Sequence, residues 1–310
     1  MLIMVAGDSG LAGSAISQYF QSQNYEVIGL NSKIVNLLDT DATFEIVKKY
    51  KPHSIIDAAA IVGGIGANMR FPVDFLIKNT TIQNNLMSAA FQYKVKKFIF
   101  LGSSCIYPKE CPQPIREEYL LSGKLEPSNS AYAIAKIAGI ELIKSYRSQY
   151  DLEWISLMPT NLYGPRDNFN LESSHVLPAL IRKFINAEQN GVKEITLWGS
   201  GNARREFLHT DDLARAVALA HNSYNDSSPL NIGTGVDLTI KELASLIARL
   251  TGFNGKIKWN TSIPDGALRK VLDVTKLKSL GWEPQVDLEN GINKTIDWFK
   301  DAVKNGSARL

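Results

Sequence analysis

The chain has few cysteines and no apparent ligand set for a metal. Only Cys105 and Cys111 occur among its 310 residues, whereas secreted proteins usually carry a fuller disulfide framework. A chain of this length can bury roughly 75% of the surface that its unfolded form exposes, so it needs neither disulfides nor a structural metal. We therefore expect a protein of a reducing compartment, the cytoplasm, without a metal site.

Long apolar runs and a strong excess of one charge are also missing. The longest apolar run near the start, residues 2–6, is too short for a signal peptide or a membrane span. The 34 Lys and Arg residues exceed the 31 Asp and Glu residues by only 3, and no basic stripe is visible. These features predict a protein that binds neither membranes nor nucleic acid, and that holds small anions locally.

A glycine-rich turn follows the first apolar run. Residues 2–6 are typical of a buried strand, and a helical pattern begins after Gly7, Gly10 and Gly13. Gly7 suits a tight turn, Gly10 allows close approach of a pyrophosphate, and Gly13 allows the helix to pack on the strand. The helix N-terminus offers free N–H groups to the anion. This context favours a dinucleotide site over a plain turn before a helix.

Apolar strands and helical segments alternate over the first hundred residues. Predicted strands cover 2–6, 26–30, 54–58 and 97–101, and predicted helices cover 42–49 and 73–93. The alternation is typical of an α/β fold with a doubly wound, Rossmann-type parallel sheet. Because ligands bind beyond the carboxyl ends of such strands, the glycine turn and residues 102–105 are predicted to line one cleft.

The residues after the second strand favour NADP(H). Chains that prefer NAD usually present a carboxylate there to the ribose 2′-hydroxyl, but this sequence has Asn31, Ser32 and Lys33. Asn31 and Ser32 can donate hydrogen bonds to a 2′-phosphate, and Lys33 can neutralise it. The alternative is that Lys33 is only a solvated loop lysine.

Tyr132 and Lys136 form a Tyr-x-x-x-Lys pair within a strongly helical run, 131–146. The i, i+4 spacing places the phenol and the ammonium on one face of the helix. A nearby cation favours the phenolate, which predicts a lowered pKa for Tyr132 and a role as proton donor and acceptor at a carbonyl. Lys136 would also hold the nicotinamide ribose. An ordinary pair on a helix surface is the alternative.

In this order along the chain, these features resemble the extended, nucleotide-sugar-modifying branch of the short-chain dehydrogenase/reductase family. Further segments are similar to the GDP-L-fucose synthase family within that branch. These segments are residues 101–108, 159–165 with 167–169, 174–178, 198–201 with 204–209, and 264–266 with 269–270. The resemblance extends from Gly7 to residues 280–282.

The resemblance implies a substrate, GDP-4-keto-6-deoxy-D-mannose, and a two-step reaction. The C4 ketone acidifies the protons at C3 and C5, and inversion of both carbons needs a base on one face and an acid on the other. Reduction at C4 by NADPH then gives GDP-L-fucose. The family's pattern makes Cys105 the base and His175 the acid, and their ordinary pKa values of about 8.5 and about 6.5 suit proton transfer. A small buried hydrophobe and a structural histidine are the alternatives.

The resemblance also implies the remaining site residues. Ser103 would support proton handling at the ketone, with Ser104 beside the cofactor. The complete predicted cofactor set, from the motifs and the resemblance together, is Gly7, Gly10, Leu11, Ala12, Gly13, Asn31, Ser32, Lys33, Leu101, Gly102, Ser103, Ser104, Tyr132, Lys136, Pro159, Thr160, Asn161, Leu162 and His175. The predicted substrate-binding set at the GDP end is Lys183, Trp198, Arg205, Asp265 and Lys270.

Within the substrate set, Arg205 suits a forked grip on phosphate. Trp198 suits stacking or lining of the nucleotide pocket, with a core aromatic as the alternative.

Three positions depart from the family's pattern. Bacterial members often have arginine where this chain has Ser9 and Ser32, so the usual grip on a 2′-phosphate is altered. Lys183 stands where arginine is frequent, which keeps the charge and loses the bidentate fork.

The resemblance further implies two lobes and a homodimer. Residues 1–165, with a return segment at about 206–235, would form the NADP-binding domain, and about 166–205 and 236–310 would form a smaller GDP-sugar-binding lobe. The return would consist of a helix at 211–220 and a strand at 230–232.

Rival functions remain at this stage. A 4,6-dehydratase would need a carboxylate beside the serine after the fourth strand, where Cys105 and Ile106 stand, and a 4-epimerase has no use for Cys105 with His175. A silent dinucleotide-sensing module would have no need to keep Tyr132 and Lys136.

Overall fold

The structure is a computed structural model that describes residues 1–262 and 265–310. Its strands, in chain order, are β1 (Leu2–Ala6), β2 (Glu26–Leu30), β3 (Ser54–Asp57), β4 (Lys97–Leu101), β5 (Ile155–Pro159), β6 (Asn161–Tyr163), β7 (Glu194–Trp198), β8 (Arg204–His209), β9 (Leu230–Ile232), β10 (Asp237–Thr239), β11 (Lys256–Asn260) and β12 (Arg269–Lys270). Its helices are α1 (Leu11–Ser22), α2 (Thr40–Tyr50), α3 (Ile65–Arg70), α4 (Pro72–Gln92), α5 (Ser130–Tyr150), α6 (Val176–Gln189), α7 (Thr210–Ser223), α8 (Ile240–Thr251), α9 (Thr275–Ser279) and α10 (Leu288–Lys304).

A parallel sheet in the order β2-β1-β3-β4-β5-β9 confirms the predicted doubly wound α/β fold. β4 and β5 are buried at every position, as expected for parallel strands covered by helices. After β2 the chain crosses to the other side of β1, so the strand order reverses between β1 and β3. That reversal opens the crevice in which ligands of such sheets bind.

The second part of the fold is built on shorter strands. β8 pairs with β10, β12 and β6, and β7 pairs with β11 in a separate parallel pair. A second apolar core, distinct from the one around the main sheet, forms where α6, α8 and α10 meet and includes Phe184, Leu243 and Phe299. The helix and strand predicted at 211–220 and 230–232 are confirmed as α7 and β9.

Several element bounds differ from the predictions. β3 ends at Asp57. Gly63 and Gly64 follow it, and a short helix, α3, begins after Gly64 and precedes α4. α5 continues to Tyr150, beyond the predicted end. Pro264, part of a quoted segment, lies outside the described residues. In residues 1–262 and 265–310, no helix has the length and apolar character needed to cross a membrane.

Candidate active site

The glycine turn after β1 has the conformation that its sequence predicts. Gly7 has a φ of +81°, and its N–H donates to the Leu30 carbonyl at 2.8 Å. A side chain on Gly7 would meet the backbone of Ala58 and Ala59, and one on Gly13 would overlap the Gly7 carbonyl. Gly10 is the N-cap of α1, and no side chain among the described residues caps this helix end. The turn therefore leaves the helix N–H groups open to an anion, which fits a dinucleotide pyrophosphate.

The end of β2 differs from its prediction. The Asn31 side-chain amide donates to Asp8 Oδ1 at 3.0 Å, and Asn31 Oδ1 accepts from the Lys33 N–H at 3.0 Å. Both ends of the Asn31 side chain thus have partners, while Ser32 and Lys33 are exposed. Because residues 31–33 contain no carboxylate, the sequence predicts that none lies at the end of β2. This prediction is wrong, because Asp8 of the glycine turn supplies one.

Lys136 is held beneath the cleft by the strand ends. Its Nζ donates to the Leu101 carbonyl at 2.8 Å and lies 4.6 Å from the centre of the Phe100 ring. Burial lowers the pKa of Lys136 to about 8, and the charge of Asp57 works in the opposite direction. Burial also raises the pKa of Asp57 to about 6, and Lys136 opposes that shift. A buried ammonium and a buried carboxyl group thus act on each other below the site.

Tyr132 stands one turn before Lys136 on α5, with its ring edge-on to Phe75 at 6.2 Å between centroids. Burial raises the pKa of the Tyr132 phenol, the charge of Cys105 adds to the rise, and a hydrogen bond with Ser103 opposes it. The predicted lowering of this pKa by Lys136 is therefore wrong, because desolvation dominates the shift. The phenol stays protonated at neutral pH and can act as a proton donor.

Ser103 and Cys105 occupy the turn that follows β4. Ser103 Oγ accepts from the Cys105 N–H at 3.2 Å and caps the short helical turn Ser104–Ile106. Ser104 is buried, whereas Cys105 is only partly covered. The charge of Cys105 acts on Tyr132 and also on Arg205. The structure therefore brings Ser103, Cys105, Tyr132 and Lys136 together.

His175 belongs to a different wall. It is the N-cap residue of α6, and the preceding segment is tied to the loop after β3 by a hydrogen bond from the Gly64 N–H to the Ser173 carbonyl at 2.8 Å. Part of the His175 residue is exposed at the surface. The protein around its imidazole still desolvates the ring, and this lowers the pKa of His175. In the described part of the chain, no hydrogen bond joins His175 to Cys105 or Tyr132.

The remaining cofactor candidates line the strand ends. The Thr160 N–H donates to the Ile232 carbonyl at 2.9 Å, and the Asn161 side-chain amide donates to the Glu206 carbonyl at 2.8 Å. These bonds fix the corner between β5 and β6 against β9 and β8, at the position where Pro159 and Leu162 also lie. The Gly102 N–H donates to the Leu157 carbonyl at 2.8 Å, and Leu11 and Ala12 form the first turn of α1.

The five candidates for the GDP end form a connected group. Lys183 Nζ lies 5.5 Å from the centre of the Trp198 ring. Asp265 accepts from the Ser200 N–H at 3.0 Å, and its charge acts on Arg205. Lys270 is the β-sheet partner of Arg205. These contacts link residues of α6, β7, β8 and β12, and of the five only Arg205 is shown to interact with Cys105.

The structure defines the exposure of one of these side chains and the orientation of another. Trp198 is 68% exposed, which excludes the core-aromatic alternative. Arg205 Nη1 donates to the Ala267 carbonyl at 2.6 Å, and this bond orients its guanidinium. Two cavities of about 410 and 330 Å³ are lined by none of the predicted site residues.

Comparison with known proteins gives the family. The model of the NAD-dependent epimerase/dehydratase family matches residues 3–233. The chain belongs to this family. It is 49% identical to GDP-L-fucose synthase 1 of Arabidopsis thaliana over 98% of this chain and 94% of that protein, and 46% identical to GDP-L-fucose synthase of Escherichia coli over 96% of each.

One solved structure is closely similar to this one. The GDP-L-fucose synthetase of Naegleria fowleri, crystallised with NADP, superposes with a TM-score of 0.92 at 32% identity, covering 100% of this chain and 96% of that one. The similarity extends over both apolar cores, so it includes the region that holds the candidate GDP end.

Two carboxyl groups of the site escaped the sequence analysis. Asp57 ends the buried strand β3, and an acidic residue at the carboxyl end of a parallel strand is a signal that could have identified it. Asp8 lies within the glycine turn, but its sequence position does not reveal that its side chain reaches the end of β2.

Proposed function

We propose that this protein converts GDP-4-keto-6-deoxy-D-mannose to GDP-L-fucose, by 3,5-epimerisation followed by NADPH-dependent reduction at C4. One observation carries the proposal: Ser103, Cys105 and Tyr132 lie together beside Arg205. In this arrangement a thiol, a protonated phenol and the Arg205 guanidinium would share one cleft. The high identity to GDP-L-fucose synthases over nearly the whole chain supports the same reaction.

In the epimerisation step, we assign Cys105 as the base and His175 as the acid. The thiolate of Cys105 would remove the proton at C3 in one inversion and the proton at C5 in the other, each acidified by the neighbouring ketone, and the imidazolium of His175 would return one proton on the opposite face each time. Between the inversions, Cys105 would release its proton to solvent and His175 would take one up. Cys105 lies in the turn after β4, and His175 lies at the start of α6. Two side chains from such separate segments suit a base and an acid that act on opposite faces of one ring.

In the reduction step, we assign Tyr132 as the proton donor to the C4 oxygen. Bound NADPH supplies the hydride to C4. Ser103, which lowers the pKa of the neighbouring Tyr132 phenol, would orient the C4 oxygen toward that phenol. Lys136 would hold the nicotinamide ribose and help to replace the proton that Tyr132 gives up.

The described residues fit this cofactor. Gly7, Gly10 and Gly13 leave the room that a pyrophosphate needs, and the first turn of α1 would bind it through N–H groups. Thr160 and Asn161, with Pro159 and Leu162, would line the nicotinamide side.

At the GDP end, we propose that Arg205, Lys183 and Lys270 bind the diphosphate and that Trp198 packs against the nucleotide. Asp265 would help to position these side chains, because it accepts a hydrogen bond from the Ser200 N–H and its charge acts on Arg205. We further propose the two-lobe division given above, because the second apolar core supports a separate lobe formed by 166–205 and 236–310.

We also propose a cytoplasmic homodimer that pairs through α4 and α5. These helices pack on each other, and Val73, Ile77 and Ile134 on them are 65%, 57% and 49% exposed. Burial of such side chains on a second copy would remove them from water. Light scattering should give twice the 34.3-kDa chain mass, and Ile77→Asp should shift it to the monomer mass. A monomeric wild-type protein would contradict the proposal.

The buried Asp57 gives a prediction about pH. Asp57 raises the pKa of Lys136, so its removal lowers that pKa further below about 8. Lys136 of the Asp57→Asn variant should then lose its proton at lower pH, and the alkaline fall of the reduction rate should move down by roughly 1 unit or more. The measurement is the pH profile of kcat for reduction, with C3/C5 exchange as the internal control. A lowered kcat with an unmoved alkaline limb would show a purely structural role.

The proposed function is tested by incubating the purified protein with the keto-sugar and NADPH and identifying the product by NMR. GDP-L-fucose is the expected product. Formation of a 4-epimer without net reduction would instead support a 4-epimerase.

A further inference from the structure

The carboxylate of Asp8 is fixed at the end of β2. Its Oδ1 accepts from Asn31 at 3.0 Å, and its N–H donates to the Leu30 carbonyl at 3.2 Å. The carboxylate also lies directly against Gly29, where any side chain would overlap it. These three contacts hold the charge at one place, although Asp8 belongs to the glycine turn rather than to the segment after β2.

This position is the one that distinguishes the two nicotinamide cofactors. In sheets of this type, a carboxylate near the end of the second strand accepts hydrogen bonds from the ribose 2′-hydroxyl of NAD and repels the 2′-phosphate of NADP. Only Oδ1 of Asp8 accepts a hydrogen bond from the described residues. Oδ2 is the oxygen that packs against Gly29, and no described residue donates a hydrogen bond to it.

The surrounding charges partly offset that repulsion. Lys33 is exposed beside Asn31 and can approach a 2′-phosphate, whereas Ser9 and Ser32 are neutral and exposed. One anion and one cation thus flank the ribose site, where a strongly NADP-selective site would present cations alone. The local charge balance does not select one cofactor decisively.

We propose that Asp8 weakens the preference of this enzyme for NADPH, so that the enzyme accepts NADH as well as NADPH. The inference rests on the proposed reductase function and concerns the adenosine end of the cofactor. Asp8 would bind the 2′-hydroxyl of NAD(H). Lys33 would offset the repulsion between Asp8 and the 2′-phosphate of NADP(H) at the same place.

The test is isothermal titration of the full-length protein with NAD⁺ and with NADP⁺. The wild type should bind the two with dissociation constants within about tenfold of each other, because Asp8 and Lys33 offset one another. Asp8→Asn should tighten NADP⁺ binding on the order of tenfold to a hundredfold, since it removes a charge that repels the 2′-phosphate, and it should not tighten NAD⁺ binding. Lys33→Gln should weaken NADP⁺ binding without weakening NAD⁺ binding.

Glu26→Gln is the matched control, because Glu26 is exposed at the other end of β2 and its loss changes the net charge equally. It should leave both affinities unchanged. An unchanged NAD⁺/NADP⁺ ratio in Asp8→Asn, or a wild type that binds NADP⁺ but not NAD⁺, would overturn the inference. Lys33→Gln keeps it testable if Asp8→Asn fails to fold. The binding assay needs no sugar, so failure of the proposed function would appear separately, as absence of GDP-L-fucose with either cofactor.

Discussion

Tyr132→Phe should stop reduction at C4 while proton exchange at C3 and C5 continues. The phenol is the proposed proton donor to the C4 oxygen, and its raised pKa keeps it protonated at neutral pH. The substitution removes only the hydroxyl, because the ring can keep its edge-on contact with Phe75. Loss of a general acid costs about 10²–10⁴-fold in rate, so we expect the reduction rate to fall by that order.

Two assays on the same sample separate the steps for this variant. Loss of NADPH absorbance measures reduction, and deuterium uptake from D₂O by the keto-sugar measures exchange. Tyr50→Phe, at the end of α2, is the matched control and should leave both rates unchanged. If Tyr132→Phe slowed exchange as strongly as reduction, the assignment of separate proton donors for the two steps would be wrong.

Cys105→Ser should give the reverse pattern. A serine hydroxyl is a far weaker acid than a thiol, so it does not supply the base that removes the protons at C3 and C5. We expect exchange to fall by about 10²–10⁴-fold, while the C4 ketone of the unepimerised sugar can still be reduced. Serine is close to cysteine in size and can keep the N–H bond to Ser103, which limits structural damage.

Cys111→Ser is the matched control for this variant. Cys111 is the other cysteine of the chain, and burial raises the pKa of its thiol. We assign it no part in the reaction, so its substitution should leave exchange and reduction unchanged. Exchange at the wild-type rate in Cys105→Ser would exclude Cys105 as the base.

The main sheet could be predicted because its strands are short apolar runs separated by amphipathic helices. β1, β2 and β4 have the predicted bounds. Buried apolar residues define β1 and β4, whereas only Leu30 of β2 is fully buried. The short strands β6, β8, β10 and β12 carry many polar residues and pair across long stretches of chain. Their pairing depends on tertiary contacts, which explains why the sequence pattern left this region irregular.

The candidate site also combines features that the sequence predicts with features that depend on tertiary contacts. The i, i+4 spacing predicts that Tyr132 and Lys136 share a face, because helix geometry alone decides it. The interaction of Lys136 with Asp57 and the bond between Asp8 and Asn31 join residues far apart in sequence. The sign of the Tyr132 pKa shift also depends on burial, which competes with any nearby cation and is not readable from spacing.

Product formation in D₂O with NADPH reports on both half-reactions at once, since they must occur in one cleft on one sugar. We expect GDP-L-fucose that carries deuterium at both C3 and C5 and ordinary hydrogen at C4. A reduced sugar with ordinary hydrogen at C3 and C5 would contradict this expectation.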